Sequence, residues 1–188
     1  MKAISLISTG IDSPVASYLL KKQGFEIIYL HLKIKNEGDE IIKDLIKKID
    51  KDAKIIINDF FLKLEKIKQK VDDKYTCILC KRAMLKEAEK IGKKHNVDCI
   101  ITGENLGQVA SQTLSNMTVI SSNINLPILR PLLCFEKDEI INIARKINTF
   151  NDSTKDTTKC PFVPINPVTK SKKHIIEILE KKYCSDKS

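Results

Sequence analysis

Two groups of residues in this chain have types and spacings that suit chemistry. The first is Ser8-Thr9-Gly10-Ile11-Asp12-Ser13-Pro14, directly after the mostly apolar run from Lys2 to Ile7. A buried strand that ends in small residues and passes into a helix gathers free backbone N–H groups at the positive end of the helix dipole. Such a point binds an anion, above all a phosphate. Ser13 is a favoured N-cap, and Pro14 suits the first helical position, where its missing N–H costs nothing. The second group is Cys77-Ile78-Leu79-Cys80, with Cys160 far downstream in Lys159-Cys160-Pro161. Cysteines so spaced ligate a metal or act as a redox dithiol.

The first loop lacks a Gly-Lys-Ser/Thr ending, which excludes the Walker type. It also lacks G-x-G-x-x-G, which argues against a dinucleotide fold. It resembles the pyrophosphate loop S-G-G-x-D-S of enzymes that split ATP into AMP and pyrophosphate. Thr9 stands where that motif has its first glycine. A β-branched residue there resists positive φ and crowds an approaching phosphate. The six residues alone also allow an ordinary strand-to-helix turn in which Ser, Gly and Asp are only caps. Asp12 suits a capping role, the magnesium that accompanies ATP, or both.

The elements that must position these residues alternate. The first strand and its helix, which stops before Gly24, are followed by a strand over 26–32 and a helix over 39–50. A third strand (53–57) and helix (60–71) lead to a helix from Cys80 to His95, then a fourth strand (97–102) and a helix from about Gly107 to Asn116. Residues 127–133 read as a fifth short strand, followed by a helix from Lys137 to Ile147. A Pro-, Thr- and Asn-rich loop spans 148–170, and a last helix runs from Lys172 to Lys182. Strands alternating with helices predict a single α/β domain over 1–182, a doubly wound parallel five-stranded sheet, with 183–188 a frayed tail. Ligands of such sheets sit beyond the carboxyl ends of the strands, where Ser8–Ser13 and Gly103–Gln108 both lie.

The chain has 188 residues, 42% of them hydrophobic, and a formal net charge of +9. That length buries a core without staples. The positive charge fits a polyanionic partner, although lysine runs such as Lys21-Lys22 and Lys47-Lys48 also read as solvated helix faces. No apolar run is long enough to span a membrane, and the apolar start is too short for a signal peptide. The expected compartment is the cytoplasm. Its six cysteines are then free thiols, metal ligands or catalytic groups. Cys99 and Cys134 read as packing residues.

Thr102-Gly103-Glu104-Asn105-Leu106-Gly107-Gln108-Val109-Ala110-Ser111-Gln112-Thr113, followed by Asn125-Leu126-Pro127-Ile128-Leu129-Arg130-Pro131-Leu132 and Glu136-Lys137-Asp138-Glu139, resembles the tRNA 4-thiouridine synthetase (tRNA sulfurtransferase) family. The likeness runs from about residue 3 to about residue 180. It implies an adenine-nucleotide α-hydrolase fold that binds ATP with magnesium through Ser8, Thr9, Gly10, Ile11, Asp12, Ser13, Gly103, Glu104, Gln108, Gln112 and Lys137. It further implies catalytic roles for Asp12, Lys137 and Cys160. In that family the position of Cys160 resembles the cysteine that carries sulfur as a persulfide or mixed disulfide. In methanogen-type members a C-x-x-C and this third cysteine, here Cys77, Cys80 and Cys160, hold an iron–sulfur cluster with one iron open to sulfide. Zinc and a bare redox dithiol remain alternative readings of the same cysteines, although zinc requires a fourth ligand. Arg130 suits a phosphate or a carboxylate, Glu104 the ribose or the strand end; His31 and His174 read as bland.

The expected activity is adenylation of a uridine carbonyl in tRNA and replacement of its oxygen by sulfur. The family's RNA-binding module has no counterpart in this sequence, so tRNA is expected to arrive through a separate chain, and a homodimer is compatible. A PP-loop enzyme that thiolates a small molecule or sulfur carrier, and a non-catalytic nucleotide- or cluster-binding subunit, are the alternatives.

Overall fold

The computed structural model describes residues 1–34, 38–155 and 160–184. Strand β1 (Lys2–Leu6) lies at the centre of the sheet, and its middle residues are buried. It pairs on one side with β2 (Glu26–Lys33), which pairs in turn with β3 (Lys54–Asp59). On the other side it pairs with β4 (Cys99–Ile101), which pairs with β5 (Ile128–Leu129). All four pairings are parallel, in the order β3-β2-β1-β4-β5. Chain order reverses at β1, so the loops after β1 and β4 part there and open a crevice at the carboxyl edge. The apolar runs of β1 and β2 explain the parallel sheet, because strands covered on both faces need no polar alternation.

Helices α1 (Asp12–Lys22), α2 (Asp39–Ile49) and α6 (Lys137–Lys146) cover one face. There Val15, Ala16, Ile42, Ile46 and Ile140 pack with Ala3, Ile27 and Tyr29. Helices α3 (Phe61–Lys70), α4 (Thr76–Lys94), α5 (Leu114–Ser121) and α8 (Lys173–Cys184) cover the other. Leu64, Ile67, Leu79, Ala83, Val119 and Ile176 meet Ile4, Ile28 and Leu30 there. The short α7 (Phe150–Ser153) follows α6. The expected doubly wound five-stranded architecture is therefore the one observed.

Arg82 fastens α4 to two neighbours. It is fully buried, with Nε donating to Glu180 Oε2 of α8 at 3.1 Å and Nη1 donating to Val119 O of α5 and to Ser122 O just after it, at 2.8 and 2.6 Å. A buried guanidinium so paired fixes the position of α4, whose first turns carry Cys77 and Cys80.

The fourth and fifth strands are shorter than the expected 97–102 and 127–133, and α7 forms inside the expected loop. Four further boundaries differ, each for a local reason. Helix α4 starts at Thr76, four residues before Cys80, because a 3-10 turn over Asp73–Tyr75 feeds directly into it. The helix expected over 107–116 is instead a 3-10 turn at Ala110–Gln112 followed by α5. Gly107 has φ +78°, Val109 and Thr113 are extended, and the Thr113 hydroxyl caps α5 by accepting from Asn116 N. Ser13 is not an N-cap: α1 begins at Asp12, with Ile11 before it. Residues 183 and 184 continue α8, with Tyr183 buried; the rest of the expected tail, 185–188, lies outside the described residues.

Candidate active site

A cavity of about 430 Å³ opens at the carboxyl edge, at the reversal point. The loop after β1 (Ser8, Thr9, Gly10, Asp12, Ser13) forms one wall. The end of β2 (His31, Leu32, Ile34), the inner face of α4 (Lys81, Met84, Leu85), the end of β4 (Thr102, Gly103, Glu104), Gln112 and Cys160 complete the lining. Two parts of the chain that the sequence marked independently, the anion loop and the third cysteine, thus share one chamber.

The loop is held by its serines. Ser8 N donates to Ser13 Oγ at 2.9 Å, and the two hydroxyls lie 3.1 Å apart. Ser17 Oγ donates to Ser13 O and meets Ser5 Oγ beneath the loop. These bonds explain why Ser13 is buried within the first turn rather than capping it. Thr9 has no positive φ, so the expected conflict between its β-branch and the loop backbone does not arise. Gly103 lies flush against α1: a Cβ there would fall 2.6 Å from Ser13 N and 2.8 Å from both Asp12 C and Ser13 Cα. The strand-four loop and the start of α1 are therefore packed backbone to backbone.

Asp12 pairs with Lys137 Nζ at 2.7 Å. Lys137 opens α6, where a cation is unfavourable without a nearby anion; the anion beside it is this carboxylate. Lys137 and Gln108 line an adjoining recess with Asn105, Cys134 and Glu136 rather than the main cavity. Cys134 is exposed, not packed, whereas Cys99 is buried as expected. Ile11 sits between the loop and α1 as the residue before the helix.

Glu104 is buried, and Lys81 Nζ lies 3.2 Å and Arg130 Nε 2.8 Å from its oxygens. Arg130 therefore holds a carboxylate. Burial alone pushes the Glu104 carboxyl up, but Lys81 and then Arg130 outweigh it and hold it below the ordinary 4.5. A depressed folded value means the pairing stabilises the fold above pH 4.5 and is lost as pH falls through the lower folded value. Glu104→Gln should therefore flatten the fall of melting temperature below pH 4.5 relative to wild type. Equal acid slopes in the two proteins would show that the triad carries no such linkage.

His31 Nδ1 donates to Ile7 O at 3.0 Å, and burial lowers its pKa. The ring is neutral at neutral pH, with Nε2 left as an acceptor. His31, Lys81 and Thr102 were not among the residues expected to act. Their signals were available: His31 ends a strand at the ligand edge, and Lys81 directly follows a C-x-x-C one helical turn before Met84 and Leu85.

Cys77 and Cys80 lie in the first turns of α4, three residues apart and so on one face. Burial pushes both thiols up. Cys160 raises Cys77 further, and Cys77 and Cys160 raise Cys80, while Lys81 lowers both. The three sulfurs are thus electrostatic neighbours. Among the described residues, however, no three His, Cys, Asp or Glu side chains are gathered tightly enough to hold a single metal ion. Thiols are the donor chemistry that an iron–sulfur cluster takes.

Among the described residues no helix is long and apolar enough to cross a membrane. A family model described as thiamine biosynthesis protein (ThiI) matches residues 1–184. The chain is 42% identical over 188 residues to the probable tRNA sulfurtransferase of Methanocaldococcus jannaschii, covering 96% of this chain and 49% of that protein. It is 41% identical over 175 residues to the probable tRNA sulfurtransferase of Thermococcus kodakarensis, covering 89% and 46%. A crystal structure of a 4-thiouridine synthetase–RNA complex with bound ATP superimposes with a TM-score of 0.92 at 35% identity, over 98% of this chain and 50% of that one. The chain spans about half the length of these relatives. With a family model matched over residues 1–184 and a cavity lined by both the loop after β1 and Cys160, the chain belongs to the ThiI family.

Proposed function

We propose that this chain is the ATP-using catalytic portion of a tRNA sulfurtransferase, which activates a uracil carbonyl and replaces its oxygen with sulfur. One observation carries the reading: Cys160 and the Ser8–Ser13 loop line the same cavity. A nucleotide bound at the loop would leave its phosphates on the backbone N–H groups of α1. Its base would lie against Leu32, Ile34, Met84 and Leu85. The sequence and fold of a 4-thiouridine synthetase solved with RNA and ATP support both substrates.

The uracil oxygen attacks the α-phosphorus and pyrophosphate leaves, its charge stabilised by the preorganised loop. Asp12 then has a use beyond its pairing with Lys137, since a carboxylate in this position suits the magnesium that accompanies the triphosphate. With magnesium held by Asp12, Lys137, which pairs with that carboxylate at 2.7 Å, would be free to face the leaving phosphates. A sulfur nucleophile next attacks the activated carbon, the C–O bond breaks, and AMP leaves with the electron pair. If Cys160 carries the sulfur as a persulfide, the product is a carbon–sulfur–sulfur–Cys160 disulfide. The thiol of Cys77 or Cys80 resolves it by attacking the Cys160 sulfur, its proton passing to the departing thiouracil sulfur, which leaves a disulfide that an external thiol reduces. In the other arrangement Cys77, Cys80 and Cys160 would hold an iron–sulfur cluster, whose open iron would supply the sulfide. Because burial keeps the Cys77 and Cys80 thiols protonated, loading that cluster would displace protons.

The test is pyrophosphate release with ATP, magnesium, a sulfur source and a tRNA transcript, followed by nucleoside analysis. One pyrophosphate per thiouridine is expected, with none released in the absence of RNA; release stimulated by a small molecule or a carrier peptide instead would overturn the acceptor. In the same assay Asp12→Ala should weaken magnesium-ATP binding at least several-fold. Thr9→Gly should change it little, because the Thr9 backbone already sits outside the positive-φ region; a large gain would show that its side chain crowds the phosphates.

A further inference from the structure

Either route for sulfur requires Cys160 to meet Cys77 or Cys80, which lie far away in sequence. The two segments are joined at the 3-10 turn Asp73–Tyr75, which runs into α4 just before Cys77. Asp73 Oδ1 accepts from Lys68 Nζ of α3, and Oδ2 accepts from Ile165 N at 3.2 Å. Lys74 O of the same turn accepts from Val168 N at 3.1 Å. The Asp73 carboxylate therefore ties together α3, the lead into α4 and the stretch that follows Cys160. Lys68 and then the Ile165 N–H hold its carboxyl below the ordinary range, so the bond to Ile165 is charge-assisted at neutral pH.

That stretch is stiff, but packing alone does not set where it lies. Pro161, Pro164 and Pro167 lock φ along it, so a bond at Ile165 is felt at Cys160. Phe162 is buried against the ring of Phe61, the first residue of α3, with centroids 5.6 Å apart, and Pro164 is buried too. Val163 and Ile165 point to solvent, 58% and 88% exposed. Apolar contact presses the stretch onto the protein without direction, whereas a hydrogen bond fixes its position. Farther on, α5 holds the chain independently: Thr113 Oγ1 donates to Thr169 O at 2.6 Å, and Asn116 Oδ1 accepts from Ser171 N at 2.9 Å. Loss of the Asp73 bond would thus loosen the stretch beside Cys160 and leave the rest in place.

We infer that Asp73 is a positioning residue for sulfur transfer, its bond to Ile165 N setting the Cys160 sulfur against Cys77 and Cys80. The inference rests on the sulfurtransferase reading and concerns the second half of that reaction. Adenylation takes place at the Ser8–Ser13 loop, which Asp73 does not line. With Cys160 out of place, water attacks the activated carbon instead. The bond from that carbon to the phosphate-bearing oxygen breaks, AMP leaves, and loss of a proton restores the uridine. Pyrophosphate is then released without thiouridine, and a small misplacement is enough to change the balance.

The experiment compares wild type with Asp73→Ala and Asp73→Asn. Metal-free protein is oxidised with diamide, which takes two electrons and two protons from a pair of thiols. Disulfide formation between Cys160 and Cys77 or Cys80 is followed by peptide mass spectrometry. Asp73→Ala should slow it at least about threefold and raise the pyrophosphate released per thiouridine by a similar factor. Its affinity for an α,β-methylene ATP analogue should stay within about twofold of wild type. Asparagine can still accept from Ile165 N while Lys68 turns to solvent, so Asp73→Asn should stay within about twofold of wild type in both readouts. A general loss of folded protein would lower pyrophosphate and thiouridine together and leave their ratio unchanged. Ile165→Pro removes the N–H and keeps the carboxylate; it should reproduce the alanine result, and it replaces that variant if Asp73→Ala does not fold. An unchanged disulfide rate in Asp73→Ala overturns the inference. So does an Asn variant as slow as the Ala variant, which would assign the effect to the Lys68 pair. Absence of thiouridine in wild type refutes the sulfurtransferase reading alone, and a wild-type ratio in Asp73→Ala refutes the role of Asp73 alone.

Discussion

Cys160→Ala should abolish thiouridine formation while leaving ATP affinity within about twofold, because the sulfur lies on the cavity wall and the phosphate loop does not depend on it. Measurement of both quantities on one preparation separates a lost sulfur carrier from a misfolded pocket. The two routes for sulfur then diverge at Cys77 and Cys80. If the three cysteines hold a cluster, either of Cys77→Ala and Cys80→Ala should remove most of the iron from anaerobically purified protein and stop thiolation. If Cys160 acts as a persulfide with two interchangeable resolving thiols, the same variants should slow thiolation without stopping it. Cys99→Ala and Cys134→Ala should leave iron unchanged, the first buried in β4 and the second exposed at the adjoining recess. Iron retained in all five variants would refute the cluster.

Gly103→Ala is the second large effect, and it acts through backbone. The new Cβ would fall 2.6 Å from Ser13 N and 2.8 Å from Ser13 Cα, and neither atom can rotate away. The start of α1 must shift from β4, which costs about 1–3 kcal/mol of stability by overpacking. It also moves the N–H groups proposed to bind phosphate. Gly10→Ala is the contrast, since its Cβ would meet Ser8 Oγ at 3.4 Å, an ordinary contact. Thermal melts should show a clear loss for the first and little for the second, with ATP affinity of Gly103→Ala down at least about tenfold. Equal melting temperatures would mean that the β4 loop yields without disturbing α1.

Much of this was legible in the chain because the decisive signals were local. The apolar runs of β1 and β2, the small-residue loop between β1 and α1, and the alternation of elements fix the sheet and its ligand edge through short-range rules. What the residues did not reveal depends on packing between distant segments. Glu104 could face a sugar or end a strand; only the arrival of Lys81 from α4 and Arg130 from just beyond β5 makes it the centre of a triad. Lys137 needed an anion, and that anion lay 125 positions away at Asp12. The region after Gly107 carried enough helix-compatible residues to suggest a helix. The positive φ of Gly107 and the extended Thr113 break it into a 3-10 turn and α5, and that break is what presents Gln112 to the cavity.

The central claim is that ATP and the Cys160 sulfur occupy one chamber, and cysteine alkylation tests it without any need for RNA. The protein is treated with N-ethylmaleimide with and without magnesium and the α,β-methylene ATP analogue, and each cysteine is followed by peptide mass spectrometry. The nucleotide should slow modification of Cys160 by at least about tenfold at saturation and leave Cys134, which lies outside the main cavity, at its original rate. Modification of Cys160 at the same rate with and without bound nucleotide would contradict the account.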